Sequence, residues 1–518
     1  MSRIAIVDLL GKEGVGSMGV QLLRQYLIAG GHDVQRLTFR AHDGSQGDLF
    51  PASASAVHAS FPGRPDAVFA SAITARALIS WPRAAAALRL PVRAEDRRRG
   101  SFPLVVFGGQ ACAAPAPLLD FADVVALGDG EVTGPRIADL MADGADPSDV
   151  MVALRGEPGF SIWPHEPLSL TRVEFQGALP VQIVRPSARS APTLELARGC
   201  QSRCVFCPIG WAGGTYREAP RSAIQHALNS LRGRAVNLFA PDYSSVSWAE
   251  DADRALESAA CTPRGRDARA DVTLRRLSRG AEPAAGQSYS FGIEGFSERI
   301  RSAMGKPMSD EALAELMGML HRAGVLNVKW YLITGFPGED ESDLGALRRV
   351  LDNVLAVYPG HLSLTVTLLQ PVPHTPLGWA DGHYDQEAAA RAMSLRTHLR
   401  GVSERTGRVV IASQPKGPGL HEHDVLLSRG DRRVADYIVA LDSRESLVSS
   451  GAWRDLAADT CDAVAALRPM VPTAATPWSG VDVGTPASTL RLALATYQRR
   501  MVRNTPTVSP ATDLRLAR

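Results

Sequence analysis

Three cysteines, Cys200, Cys204 and Cys207, are spaced to do inorganic chemistry. They lie in the run Glu195-Leu-Ala-Arg-Gly-Cys200-Gln-Ser-Arg-Cys204-Val-Phe-Cys207-Pro, a C-x3-C-x2-C pattern. A short apolar stretch, Pro192 to Ala197, precedes them, so the three thiolates fall on one tight loop after an expected strand. A closed zinc site takes four protein ligands. No fourth cysteine is near, and His226 lies beyond the loop on an expected helix. An iron–sulfur cube held by three thiolates instead keeps one iron open for a substrate or cofactor. Zinc and a purely structural or redox cluster are the competing readings.

This loop resembles the signature of the radical S-adenosylmethionine (SAM) superfamily. The resemblance implies a [4Fe–4S] cluster whose open iron takes the amino and carboxylate groups of SAM. One electron then breaks a C–S bond, giving methionine and a 5′-deoxyadenosyl radical. It also implies roles for residues elsewhere. Phe206, before the last cysteine, matches the position that packs near adenine. The family's Gly-Gly-Glu motif after the second barrel strand is replaced by Ala240-Pro-Asp242-Tyr-Ser-Ser245, where Asp242 is expected to take over part of the amino-group recognition. Phe291-Gly-Ile-Glu294-Gly resembles the segment whose acid faces the ribose or amino group. A carboxylate inside a barrel is costly unless paired, which favours a ligand role for Glu294.

In Arg301-Ser-Ala-Met-Gly-Lys306, both Arg301 and Lys306 match positions where a cation meets the SAM carboxylate; a solvated surface charge is the other reading for each. Leu332-Ile-Thr-Gly335-Phe-Pro-Gly338-Glu339 is similar to the family's turn against adenine, where Gly335 and Gly338 let the backbone approach a flat ring. Leu369-Gln-Pro-Val-Pro-His374-Thr-Pro376 resembles the loop at the barrel mouth. His374 is either a substrate contact, acid or base, or a structural hydrogen bonder between prolines. No catalytic residue is assigned beyond these.

The elements that must hold these groups read as an α/β chain. Apolar strands at 3–8, 67–71, 104–107 and 124–127 alternate with helical stretches, which predicts a doubly wound parallel sheet over 1–150. Ligands of such sheets sit beyond the strands' carboxyl ends, here the loops Asp8–Gly19, Ser71–Arg76, Gly108-Gly109-Gln110 and Gly128-Asp129-Gly130-Glu131. A linker with a small hairpin is expected at 151–190. A partial (β/α)6 barrel is expected at 191–384, with strands Thr193–Ala197, Ala235–Ala240, Asp271–Leu277, Ser288–Gly295, Asn327–Gly335 and Leu362–Leu369. Chemistry in such barrels sits after the strands. A mostly helical region, beginning with the helix Gln386–Arg405, fills 385–518.

The first domain resembles the cobalamin-binding type that precedes many radical SAM barrels, through Pro103-Leu-Val-Val-Phe-Gly-Gly-Gln, Pro115–Asp123 and Leu127-Gly-Asp-Gly-Glu131. Its first loop lacks the histidine of Asp-x-His-x-x-Gly, so a corrin would bind with no histidine under the cobalt, and Arg76 is a candidate for blocking that face. A degenerate domain that binds no corrin is the alternative. The loop GKEGVGSMG matches neither a dinucleotide fingerprint nor a P-loop. The pair His421-Glu-His423 has no third metal ligand beside it, and Leu426-Leu-Ser-Arg-Gly-Asp-Arg-Arg433 again resembles one branch of cobalamin-type radical SAM proteins.

Composition narrows the function class. The net charge is +2, so no basic field points to nucleic acid, and lysine occurs only at Lys12, Lys306, Lys329 and Lys416. The basic run Arg264–Arg279 reads as a solvated low-complexity segment. No apolar run approaches membrane-spanning length. Six cysteines, three of them in the loop, fit a reducing compartment, and a cytoplasmic location is expected. The expected function is SAM cleavage at the cluster, with methyl transfer from cobalamin to an unactivated carbon. Corrin-free rearrangement, cyclisation or methylthiolation is the alternative, and an iron–sulfur scaffold or regulator is the non-enzyme one. Methylthiotransferases bring three further cluster cysteines in their first domain, where this chain has Cys112 alone. Expected partners are a small-molecule or peptide substrate and an external electron donor such as flavodoxin or ferredoxin.

Overall fold

The computed structural model describes residues 1–9, 17–39, 56–57, 64–185, 190–264, 266–281, 288–413, 417–442 and 453–502. Most of the glycine-rich loop after the first strand, with Lys12, and also Lys416 lie outside these residues.

Seven strands form the N-terminal sheet: β1 (Arg3–Asp8), β2 (Asp33–Phe39), β3 (Ala56–Val57), β4 (Ala67–Ser71), β5 (Leu104–Gly108), β6 (Val124–Ala126) and β7 (Phe160–Ile162). Their order is β3-β2-β1-β4-β5-β6-β7. The inner pairs are parallel, and β3 and β7 close the two edges antiparallel. Ile4, Ala5, Ile6 and Val7 are all buried because a parallel sheet is covered on both faces. Alternate side chains reach opposite faces. Ile4 and Ile6 pack with Val20, Leu27, Ile137 and Leu154 of the helices Met18–Ala29, Gly130–Ala142 and Pro147–Leu154. Ala5 and Val7 belong to a second core whose cover includes Leu426, Tyr437 and Trp453, from the helices Pro418–Arg429, Val434–Asp442 and Trp453–Thr460. Chain from beyond residue 417 thus completes the core begun by the first strand.

Among the described residues the expected hairpin is reduced to one antiparallel bridge, in which Val184 and Thr193 exchange backbone hydrogen bonds of 3.0 and 2.7 Å. β7 extends the N-terminal sheet, and β8 (Leu170–Thr171) pairs parallel with a strand near the other end of the chain, Val481–Asp482.

The barrel is laid down by β9 (Thr193–Glu195), with β10 (Ala197–Arg198) and β11 (Arg217–Glu218) forming a side ladder. β12 (Ala235–Phe239), β13 (Thr262–Pro263), β14 (Asp267–Ala268), β15 (Ser288–Glu294), β16 (Asn327–Thr334), β17 (His361–Leu368) and β18 (Val409–Ser413) follow. They run β13-β12-β9 and β14-β15-β16-β17-β18, parallel throughout. In β16, Val328, Trp330, Leu332 and Thr334 are buried while the alternate residues are less so, the period-2 pattern of a half-covered strand.

One expected barrel strand is a helix. Asp271–Leu277 lies in the helix Ala270–Leu277, with Ala270, Thr273 and Leu277 buried at helical spacing and Arg275 paired to Asp271 one turn away. The short run DVTLRRL suits either period, and the third strand proper is the shorter β13 and β14. The C-terminal region is mostly helical, beginning with Gln386–Thr406. Among the described residues no helix is long and apolar enough to cross a membrane.

Candidate metal centre at the barrel mouth

The cysteine loop leaves β10 through Gly199, whose φ of +74° suits glycine and whose added Cβ would lie 2.7 Å from the Thr215 carbonyl. The loop is then stitched to its surroundings by backbone. Val205 N–H donates to Met304 O (3.1 Å), Leu377 N–H to Val205 O (3.1 Å), and Cys207 N–H to Cys204 O (3.1 Å). The Trp211 indole donates to Cys204 O at 2.8 Å. Cys204 is buried, while Cys200 and Cys207 are partly exposed. Burial pushes the free Cys207 thiol up to about 11 and raises Cys204 as well, so these thiols stay neutral unless a cationic partner takes up the thiolate charge.

Two cations flank the loop. Lys306 Nζ donates to Glu294 Oε1 (2.8 Å) and to Gly292 O (2.9 Å), and stands 5.8 Å from the Phe206 ring centroid. Burial alone would lower the Lys306 pKa, but Glu294 and the Cys204 sulfur overcome it and the ammonium is held. Glu294 follows a bulge in β15 and adopts φ +61°, a left-handed conformation uncommon outside glycine. Phe206 meets Phe336 edge-on at 5.9 Å, which brings the turn after β16 to the same place. The second cation is Arg269, whose guanidinium donates to Cys204 Sγ at 3.3 Å.

Among the described residues no three His, Cys, Asp or Glu side chains converge to hold a single metal ion. A cube makes a different demand, because it spreads three thiolates over three irons. Three sulfurs on one stitched loop, bordered by Lys306 and Arg269, are a donor set that suits an anionic cluster.

Other sequence-predicted residues are engaged differently. Asp242 accepts from Ser244 N (3.0 Å), Ser244 Oγ (2.5 Å), the Ser245 hydroxyl and Arg269 N (3.1 Å), so both its oxygens shape the turn after β12. Arg301 is neither a site cation nor a surface charge. It is fully buried, paired with Asp310, and donates to Met308 O at 2.8 Å, clamping the segment before the helix Asp310–Arg322. Gly335 and Gly338 have φ of +91° and +88°, but their Cβ positions face Ala388 and Met501. These glycines therefore permit a turn packed under two helices, and Glu339 closes it from within by accepting from Thr334 Oγ1 (2.6 Å) and Gly335 N (2.7 Å). His374 is a structural hydrogen bonder. Its Nε2–H donates to Ala113 O in the N-terminal domain at 2.8 Å, and burial pushes its pKa down to about 4.

The loops that should frame a ligand on the N-terminal sheet are largely joints. Arg76, expected under the cobalt, is taken up by Asp424, with Nε donating to Oδ1 at 2.7 Å. Gly109 lies against the Ala72 carbonyl, and Gly128 bridges to Val173. Asp129 and Glu131 receive Arg198 of the cysteine segment at 3.0 and 2.8 Å, and Glu195 adds a third carboxylate at 2.7 Å. Arg217 also reaches Asp129, at 2.6 Å. At the β1 end the Asp8 carboxylate accepts from Ser17 N (2.9 Å), and its buried Oδ1 has no hydrogen-bond partner among the described residues. The pair His421 and His423 packs against aromatic rings. His421 packs on Tyr384 at 6.2 Å, and His423 lies between Tyr437 and Trp453, its pKa pushed by burial to about 4.

Sequence reasoning alone misses Arg269 and Arg198. Arg266 and Arg269 belong to the run read as solvated, yet both are buried. Arg266 lies over the rings of Tyr243 and Tyr289 at 4.8 and 5.8 Å. Their placement just before and after the strand Asp267–Ala268 is the signal, obscured because the apolar pattern predicts that strand a few residues later, at 271–277.

Comparison with known proteins agrees with this geometry. Residues 194–351 match the family model of the radical SAM superfamily, and residues 82–155 that of radical SAM proteins, N-terminal. The chain is 23% identical over 261 residues to the uncharacterized protein MJ0966 of Methanocaldococcus jannaschii, covering 50% of this chain and 56% of that one. It is 26% identical over 279 residues to the ribosomal protein uS12 methylthiotransferase RimO of Saccharopolyspora erythraea, covering 47% and 57%. The matched segment thus spans little more than half of each curated relative. Among solved structures, the cobalamin-dependent S-adenosylmethionine radical enzyme OxsB with aqua-cobalamin bound is 12% identical, with a TM-score of 0.48 over 97% of this chain and 79% of that one. The three cysteines thus stand at the head of the segment that matches the radical SAM superfamily model, with the match to radical SAM proteins, N-terminal, ahead of it.

Proposed function

We propose that this protein is a radical SAM enzyme that holds a [4Fe–4S] cluster on Cys200, Cys204 and Cys207 and cleaves SAM beside it. The family implies both groups. The observation that carries the reading is the gathering of Phe206, Glu294 and Lys306 around the cysteine loop at the carboxyl ends of parallel strands. When bound, the cluster supplies one electron and an iron with an open position. Glu294 and Lys306 present a carboxylate and an ammonium side by side, the complement of an amino acid's own ammonium and carboxylate. Phe206 and Phe336 give the apolar surface an adenine needs, and Trp211 fixes the loop from behind.

Anaerobically reconstituted protein is expected to carry about four irons and to convert SAM to methionine and 5′-deoxyadenosine under a strong reductant. The triple Cys200→Ala, Cys204→Ala, Cys207→Ala variant is expected to retain almost no iron and no cleavage. Full iron in that variant would remove the cluster from this loop.

The finer reading is methyl transfer to an unactivated carbon of a small molecule or peptide, with the N-terminal domain supplying a corrin and flavodoxin or ferredoxin supplying electrons. It is supported by the orientation of the two sheets: Asp129, Glu131 and Ala113, beyond strands of one, touch Arg198 and His374 at the mouth of the other. Corrin uptake and S-adenosylhomocysteine release test it; protein that takes up no corrin reverts to corrin-free chemistry. Methylthiolation, the activity in the name of the RimO relative, is less well supported. Cys112 is wholly buried with its thiol pushed up to about 12, which does not suit a ligand of a second cluster.

A further inference from the structure

Arg269 is held more firmly than a side chain that merely fills space. Its Nε and one terminal nitrogen grip the two oxygens of Asp271 at 3.0 Å each. The same terminal nitrogen reaches Gly305 O at 3.1 Å, and its backbone N–H is fixed by Asp242 Oδ1 and Ser244 Oγ, both at 3.1 Å. The remaining terminal nitrogen points at Cys204 Sγ, 3.3 Å away. Cys204 is the most buried of the three cysteines, so water competes least for its sulfur. Burial alone would lower the Arg269 pKa, but Asp271 and the sulfur more than offset it, and the group stays cationic.

We propose that Arg269 sets the reduction potential of the cluster, raising it through an N–H···S hydrogen bond to Cys204. The inference rests on the cluster reading given above. One electron passes from an external donor of the flavodoxin or ferredoxin class, which is oxidised by one as the iron–sulfur centre is reduced by one; no bond to Arg269 forms or breaks. Reduction adds negative charge to the irons and their thiolates, and a donor to sulfur stabilises that charge more after the electron arrives than before. Asp271 offsets much of the guanidinium's net charge, so the directed N–H dipole is the larger part of the effect. Lys306, the other cation near Cys204, donates to Glu294 and Gly292.

The test is a potentiometric titration, without SAM, of reconstituted wild type and variants, read by electron paramagnetic resonance of the reduced cluster. Arg269→Gln is expected to lower the potential by at least a tenfold change in the reduction equilibrium, about 59 mV for a one-electron couple. Arg269→Lys should fall between the two. Asp271→Asn, which leaves the guanidinium with its charge no longer offset, should shift the potential the opposite way. An unchanged potential in Arg269→Gln with full iron overturns the proposal. So does weaker SAM binding with no change in potential, which would make Arg269 a SAM contact instead. If Arg269→Gln cannot hold iron, Arg269→Lys decides, and a potential unchanged from wild type there overturns it equally. Wild type without a cluster would fail earlier, at the iron assay, and so separates the two readings.

Discussion

Charged side chains at the carboxyl end of the N-terminal sheet and at the carboxyl end of the barrel are alike wholly or partly buried, yet they face different things. At the first, Asp129 and Glu131 close on Arg198, Arg76 closes on Asp424, and the Ala113 carbonyl takes His374. Every one of those contacts crosses from one part of the chain to another. At the second, Lys306, Glu294 and Arg269 pair locally and are turned toward the cysteine loop. The same architecture therefore serves as a joint at one end and as a site at the other. The Arg198 network links the two, because Arg198 stands two residues before Cys200.

The sharpest way to break the joint is Arg198→Ala. It leaves Glu131, Glu195 and Asp129 buried without their shared cation, and removing one partner of a buried pair costs about 3–5 kcal/mol. Chemical denaturation should show that loss, together with reduced iron uptake, while Arg198→Lys recovers part of both. Normal stability in Arg198→Ala would mean the joint is held elsewhere.

Acid should destabilise the fold at three buried histidines: His374 of the joint, His423 among Tyr437 and Trp453, and His165 beside Ser161 and Ala122. His165, His374 and His423 are each pushed by burial from an ordinary value of 6.5 to about 4. Below 6.5 the unfolded chain takes up protons that the folded chain refuses, so stability is complete above that value and falls as the pH drops toward 4. One pKa unit corresponds to about 1.4 kcal/mol, so each histidine can contribute about 3 kcal/mol to that loss. Denaturation midpoints measured across this range should fall, and His374→Gln, which can still donate to Ala113 O, should flatten the slope. A slope unchanged by that substitution would take His374 out of the joint's acid response.

The smallest effect belongs to a charged pair outside both regions. Arg136 and Glu157 meet at 2.6 Å on an open surface, with their side chains 44% and 34% exposed. Arg136→Ala should cost less than about 1 kcal/mol. A loss as large as that of Arg198→Ala would erase the distinction between buried joints and surface pairs.

The parts of this protein that could be read from sequence are those whose geometry is local. Cys200, Cys204 and Cys207 share one loop, so their spacing alone limits what they can hold. Strands such as Arg3–Asp8 are continuous apolar runs buried on both faces, and a long helix such as Gln386–Thr406 repeats its pattern over many turns. Short or mixed elements were not legible: β2 carries Gln35 and Arg36 among its apolar residues, and DVTLRRL fits a strand or a helix until its neighbours decide.

Burial of charge was the other thing only the tertiary structure decided. Arg76 and Asp424 lie 348 residues apart, and Arg301 reads as one more surface arginine until Asp310 and three carbonyls surround it. Arg266 and Arg269 looked solvated because their partners, Tyr243, Tyr289, Asp242 and Cys204, belong to other strand ends. A sequence states which charges a chain has. Whether a charge meets water, a carboxylate or a sulfur depends on which strand ends the fold brings together, because an ion is tolerated inside only where distant residues supply its partners.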